Sequence, residues 1–356
     1  MLLSAIRGFS TGRCLLTTSR ALSTAAVPNK VLMTGGMGQI GTELARRLRG
    51  IYGRDNVIVT DVLKPSVEFR REGPFVFLDV LNPERFEEIV VDEGIDWLIH
   101  LPSILSARGE QNPARAWDIN IGGTRNAFEI SSKHNLRLFV PSSIAVFGPT
   151  TPLDFTPNSC PMDPMTMYGI TKRTMEMLGC YWKAKKGLDF RSIRYPGIIS
   201  WETPPGGGTT DYAVDIFYKA LQKQQQPSYS CFLKPDSRLP MMIMDDCLDA
   251  TIDFLHAPAS SLTEAVYNLS AVSFTPSELA RSIRRHVPGF TITYDPDFRQ
   301  AIADGWPRVL DDSLFRRDIQ WTPKYGDLDS LVDSMISNLR KKLNLEESAH
   351  AEKNKK

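Results

Sequence analysis

Tyr168 and Lys172 stand four residues apart in the run Tyr168-Gly-Ile-Thr-Lys172. On a helix that spacing puts a phenol and an ammonium on one face. A free phenol titrates at about 10, and a neighbouring ammonium favours the phenolate. Such a pair can act as a general base toward an alcohol. Taken alone it is also common on surface helices, so its context matters. Ser142 and Ser143 follow an apolar run, where a hydroxyl can bond both a substrate oxygen and Tyr168. Asn120 lies in Asn120-Ile-Gly-Gly-Thr-Arg-Asn126. It can fix Lys172 through a backbone kink or a water, or simply bond its own helix.

The second chemical signal is Thr34-Gly-Gly-Met-Gly-Gln-Ile-Gly41, set between an apolar run and a helical one. Gly35 and Gly36 permit a tight turn. Gly38 lets the backbone approach a pyrophosphate, and Gly41 lets helix and strand pack closely. The phosphates of a dinucleotide would sit on the amides around Met37, Gln39 and Ile40, where the helix opens. Asp61 ends the next strand, twenty residues after Gly41, with Val62 and Leu63 behind it. Its carboxylate suits a free ribose 2′-hydroxyl and repels a 2′-phosphate, which favours NAD over NADP, although Lys64 pulls the other way. Asp79 and Val80 are placed for the adenine end; Asp79 can equally be a turn former before Asn82-Pro83. Leu101 and Ile198 complete the expected cofactor contacts.

These residues need a scaffold. Short apolar runs predict strands at Val31–Thr34, Val57–Asp61, Phe75–Asp79, Trp97–His100, Leu136–Val140 and Phe190–Arg194. Helical spacing falls between them, at 39–49, 83–91, 113–133 and 165–186. Strands alternating with helices predict an α/β fold with a parallel sheet covered on both faces. Ligands bind beyond the carboxyl ends of such strands, where the glycine turn, Asp61, Asp79, residues 101–106 and Ser142-Ser143 all fall. After residue 200 the pattern breaks into a glycine-rich loop, helices at 211–222, 277–286 and 328–341, and short strands at 241–244, 265–269 and 290–294. This reads as a dinucleotide-binding domain over 28–200, a smaller lobe over 201–341 that exchanges sheet and helix with it, and a polar tail at 342–356.

Composition narrows the function classes. The 356 residues are 42% apolar with a formal net charge of +1, which gives no electrostatic case for nucleic acid or an anionic membrane. No uncharged apolar run reaches the roughly 18 residues of a spanning helix. The five cysteines form no Cys-x-x-Cys pair, and the five histidines are scattered. Reduced thiols and no metal site are therefore expected. Residues 1–26 carry Arg7, Arg13 and Arg20, many Ser and Thr, and no acid. That composition reads as a mitochondrial transit peptide, which places the mature chain in the matrix.

Together, Thr34-Gly-Gly-x-Gly-x-x-Gly41, Asn120-Ile-Gly-Gly-Thr, Ser142-Ser143 and Tyr168-x-x-x-Lys172 resemble the extended short-chain dehydrogenase/reductase family. The resemblance covers roughly residues 29–330. It implies a Rossmann-type doubly wound parallel sheet with a smaller C-terminal α/β substrate lobe. It also implies a catalytic Ser/Tyr/Lys set in which Ser143, rather than Ser142, takes the serine role. Arg238-Leu-Pro-Met-Met-Ile-Met-Asp245 keeps the spacing of the run by which nucleotide-sugar epimerases and dehydratases grip a phosphate, with an altered middle. That branch, and a catalytically silent NAD-binding member, stay open. Pro141-Ser-Ser-Ile-Ala-Val-Phe-Gly148, Pro205-Gly-Gly-Gly-Thr-Thr-Asp-Tyr212 and Gly305-Trp-Pro307 are similar instead to the branch that oxidises a hydroxy amino acid. That similarity implies NAD-dependent oxidation of the 3-hydroxyl of L-threonine to 2-amino-3-oxobutanoate. Thr209 or Thr210 would then contact the amino-acid head, with Ser103 and Ser106 as further candidates, and Trp306 would close the pocket. Thr210 can also be a helix N-cap and Trp306 a core residue. The family resemblance further implies a homodimer built through the Tyr168 helix, and the Gly206–Gly208 stretch is a candidate lid hinge.

Overall fold

The computed structural model describes residues 28–204, 206–222 and 226–344. The expected transit segment and the tail beyond residue 344 lie outside the described residues. The strands in chain order are β1 (Val31–Thr34), β2 (Val57–Asp61), β3 (Phe75–Phe77), β4 (Trp97–His100), β5 (Arg137–Phe139), β6 (Ser142–Ser143) and β7 (Phe190–Tyr195), then β8 (Gly197–Ile199), β9 (Ser228–Cys231), β10 (Leu239–Ile243), β11 (Val266–Asn268), β12 (Val272–Phe274) and β13 (Thr291–Tyr294).

The large sheet runs β11-β7-β5-β4-β1-β2-β3, with β6 also paired to β7. Every pairing in it is parallel. β1, β2 and β4 are buried at every position, as expected where helices cover both faces of a parallel sheet. One face packs Leu44, Leu48, Trp97, Phe139 and Phe254. The other packs Leu32, Phe86, Leu98, Phe128 and Phe190. The chain order reverses between β1 and β4, and a crevice opens above their carboxyl ends. The sheet is the Rossmann-type α/β architecture the family resemblance implies.

The helical stretch expected over 113–133 follows one continuous path with a wider π turn at Asp118–Gly123. Packing accounts for the turn's small residues: a Cβ on Gly123 would lie 2.7 Å from Val80 Cγ2, and one on Gly122 3.2 Å from Leu81 Cδ2. π turns of this kind recur at functional sites. Asn120 lies within it.

The smaller lobe holds a three-stranded sheet, β12-β10-β8, and a parallel pair, β9 with β13. Helices Tyr212–Ala220, Pro276–Arg284 and Leu328–Lys342 build its core around Tyr212, Phe217, Ile283, Leu331 and Met335. Residue 200 divides the sequence but not the space. β8 precedes it yet belongs to the small-lobe sheet, and β11 follows it yet extends the large sheet beside β7. Helix Met244–His256 also packs on the first helix, Gln39–Tyr52. The joint is polar: Ser200 Oγ donates to buried Glu43 Oε1 at 2.7 Å, and Arg46 bridges Glu72 and Glu202.

Candidate active site

The glycine turn joins β1 to the Gln39–Tyr52 helix. Gly35 has φ +64, and a Cβ there would sit 2.5 Å from Pro102 N, so only glycine fits both the backbone and the neighbour. A Cβ on Gly41 would lie 2.7 Å from Gly36 Cα, which is the close helix–turn packing expected. Gly38 differs: its nearest neighbour would be Gly35 O at 3.7 Å. The protein itself does not require glycine there, and the space lies on the ligand side. The helix starts at Gly38 with no side-chain cap and no acid in its first turn, leaving its end free for an anion.

Asp61 accepts Met37 N and Leu63 N, each at 2.9 Å, through different oxygens. It caps the turn and still lines a cavity of about 290 Å³ with Gly35, Asp79, Val80, Pro102 and Ile119. Val62 and Leu63 are exposed beside it, as is Lys64. Asp79 accepts Leu81 N at 3.0 Å, the turn geometry foreseen as its alternative, while its side chain borders the cavity. Val80 is buried, and its carbonyl accepts Asn126 Nδ2 at 2.9 Å. Met37, Ile40, Leu101 and Ile198 are half-buried around one apolar cluster. Ser103 Oγ is buried without a hydrogen-bond partner. An uncapped helix and an open glycine beside that cavity fit a dinucleotide.

The catalytic candidates meet at the end of the same sheet. The Met167–Lys186 helix begins on the Thr166 hydroxyl, which accepts Gly169 N. Gly169 and Gly148 admit close backbone approach; a Cβ on Gly169 would lie 2.1 Å from Ala145 O. The helix is thereby pressed onto the β6 segment. Ser143 Oγ accepts Ala145 N at 3.2 Å, and Ser143 is the side chain that opposes the upward shift of the Tyr168 phenol. Lys172 Nζ lies 5.7 Å from the Tyr168 ring centre and donates to Pro141 O at 2.9 Å.

The electrostatics depart from the expected pattern. Burial pushes the Tyr168 phenol up to about 12, with only the Ser143 hydrogen bond opposing. Burial also pushes Lys172 down to about 8, with Glu176 opposing. The expected lowering of the phenol by Lys172 is therefore absent in the chain alone, because the ammonium is turned to Pro141 O and is itself desolvated. His100, beneath the turn, is held neutral by burial and by Lys172, with a pKa of about 3; its Nδ1 meets Thr34 Oγ1 at 2.8 Å.

Asn120 does not bond Lys172. Its amide clamps Ile104 N and O at 2.8 and 3.1 Å and donates to Thr171 Oγ1 at 3.0 Å. It ties the π turn, the loop after β4 and the residue before Lys172 together. Ser106 and Thr209 are both buried, with their hydroxyls 3.4 Å apart. Thr210 packs where a Cβ on Gly197 would fall, and Asp211, not Thr210, holds the helix N-cap position. Asp211 also ties the glycine loop through Gly207 N and Gly208 N. Trp306 is 7% exposed within the small-lobe core and edges an apolar cavity of about 380 Å³ beside Thr166 and Phe147. It has the core character named as its alternative. Arg238 is engaged by Glu278 at 2.6 Å and Ser273 O at 2.7 Å. Sequence reasoning passed over Glu176, Asn126 and His100. Apart from the Arg173–Glu176 pair, their partners are 18 to 66 residues away, so local spacing does not mark their roles.

A model of the NAD dependent epimerase/dehydratase family matches residues 31–270. The chain is 49% identical to the mitochondrial L-threonine 3-dehydrogenase of Bos taurus over 86% of its length and 82% of that protein's. Its structure is similar to the L-threonine dehydrogenase of Phytophthora infestans, with a TM-score of 0.84 at 48% identity, covering 88% of this chain and 99% of that one. It is also similar to the holo form of a GalE-like L-threonine dehydrogenase from Cupriavidus necator, with a TM-score of 0.83 at 46% identity, covering 87% and 99%. The crevice that fits a dinucleotide and the matched sequence thus agree on an oxidoreductase using NAD, and the chain belongs to the NAD dependent epimerase/dehydratase family.

Proposed function

We propose that this enzyme oxidises the 3-hydroxyl of L-threonine to 2-amino-3-oxobutanoate. The observation that carries the reading is the Ser143–Tyr168–Lys172 set beside an uncapped glycine turn. NAD, when bound, accepts the hydride from C3. Ser143 orients the substrate hydroxyl, and Tyr168 takes its proton. Lys172 holds positive charge near the forming phenolate and would hold the cofactor ribose. Burial raises the phenol, so Tyr168 takes the proton against that shift, with Ser143 and Lys172 beside it favouring the phenolate. Ser103, Ser106 and Thr209 offer hydroxyls to a carboxylate and an ammonium, which a small zwitterion must have satisfied on burial.

The nucleotide-sugar reading needs a free arginine for the phosphates, whereas Arg238 is spent on Glu278 and Ser273. A silent member would not need the intact Ser143, Tyr168 and Lys172. Thermal unfolding separates the three readings. With NAD present, L-threonine should raise the midpoint of the Tyr168→Phe variant and a UDP-sugar should not; the reverse order would remove the threonine reading. We further place the enzyme in the mitochondrial matrix, from the composition of residues 1–26 and the mitochondrial relative. A reporter fused to residues 1–26 that stays outside mitochondria would overturn that placement.

A further inference from the structure

Glu176 lies one turn beyond Lys172, so Tyr168, Lys172 and Glu176 share one helix face. It is 1% exposed, and a carboxylate that deep needs partners for both oxygens. Ser142 Oγ donates to Oε1 at 2.6 Å, and Arg194 forks across both oxygens at 2.8 and 3.0 Å. Arg173 reaches Oε2 at 3.2 Å. Arg194 is fixed in turn by Asn158 O and Asn268 Oδ1. Two consecutive residues thus bond two points of the catalytic helix: Pro141 O takes Lys172 and Ser142 takes Glu176, with Ser143 next in line.

The charges around Lys172 come from three elements. Its own helix supplies Tyr168, Arg173 and Glu176, β7 supplies Arg194, and β4 supplies neutral His100. We propose that Glu176 is a positioning residue of this site, an inference that rests on the dehydrogenase reading. Its one carboxylate locks the Ser142–Ser143 strand to the catalytic helix and supplies the negative charge that favours Lys172 as an ammonium. Burial already drives Lys172 down to about 8 against the pull of Glu176. Without Glu176 the ammonium must lose its proton at lower pH, and activity that depends on it must fall earlier on the alkaline side.

The experiment is the pH profile of kcat/KM for the wild type, Glu176→Gln and Ser142→Ala. In Glu176→Gln the alkaline limb should move down by about one pH unit or more. In Ser142→Ala, which keeps the charge and breaks only the strand link, activity should drop about tenfold with the limb unmoved. A folded Glu176→Gln protein with an unshifted limb overturns the proposal, since a merely structural role lowers activity without moving the profile. Should Glu176→Gln fail to fold, Ser142→Ala decides: wild-type turnover overturns the lock, and the expected loss at an unchanged melting temperature supports it. A wild type that does not turn over threonine at any pH instead overturns the dehydrogenase reading.

Discussion

Tyr168 and Lys172 share a helix face, yet their buried setting favours a neutral phenol and weakens the ammonium. Replacing Tyr168 by Phe removes the proton acceptor and leaves the crevice unchanged. Turnover should fall by about a thousandfold while NAD affinity, measured by titration, stays within a few-fold; weak NAD binding with normal turnover would contradict the role. Asp61→Ala should cut the preference for NAD over NADP by roughly tenfold, because the repelling charge is gone. Equal kcat/KM ratios before and after would assign the discrimination to another residue. Gly35, Asp61, Ser143, Tyr168 and Lys172 were legible in the sequence because each belongs to a short run with fixed spacing. Glu176 was not, since its meaning depends on Arg194 and Ser142, which only the folded sheet brings to it. Nor was the clamp that Asn120 makes on Ile104.

At the scale of elements, strong hydrophobic period marked what it could. The strands at 31–34, 57–61 and 97–100 and the long helix beginning near 167 stand where their spacing put them. Helices Val67–Glu72, Ser106–Gln111, Arg299–Asp304 and Ser313–Ile319 were missed. At six or seven residues, each holds too few turns to show a period. β8 and β12 were missed for the same reason and are fixed only by pairing with β10. The 13-residue helix Met244–His256 was missed as well, because its first residue ends the strand expected at 241–244. The polar joint at Glu43 and Ser200 makes a measurable prediction. Burial raises Glu43 from 4.5 to about 7, despite the Ser200 bond, with Glu202 and Asp245 adding to the rise and Arg46 opposing it. The folded state then holds a proton that the unfolded chain has released, so this carboxyl makes stability fall as pH rises from about 4.5 through 7. Glu43→Gln should raise the melting midpoint by a few degrees at pH 8 and barely change it at pH 5. A wild-type pH dependence in the variant would show that Glu43 ionises freely.

The whole molecule is two lobes sharing one chain path, with β8 and β11 crossing between them. Exchange of sheet and helix between the lobes was expected, but not which strands cross, because the pairing of β8 with β10 and of β11 with β7 leaves no mark on either segment alone. On the outer surface, Ile170, Met177 and Tyr181 of the catalytic helix are exposed, as is Trp117 of its neighbour. An apolar stripe on adjacent helices is the kind of surface a second copy covers, and we propose it as the contact face of the expected homodimer. Met177→Glu should shift sedimentation from dimer toward monomer; a wild-type chain that sediments as a monomer would refute the pairing. Those assembly questions are secondary to the reaction itself. The most direct test is NADH absorbance after mixing the purified chain with NAD and L-threonine. The account predicts NADH formation with L-threonine, none with a UDP-sugar, and none from the Tyr168→Phe variant. Bound NAD without NADH formation from L-threonine would contradict it.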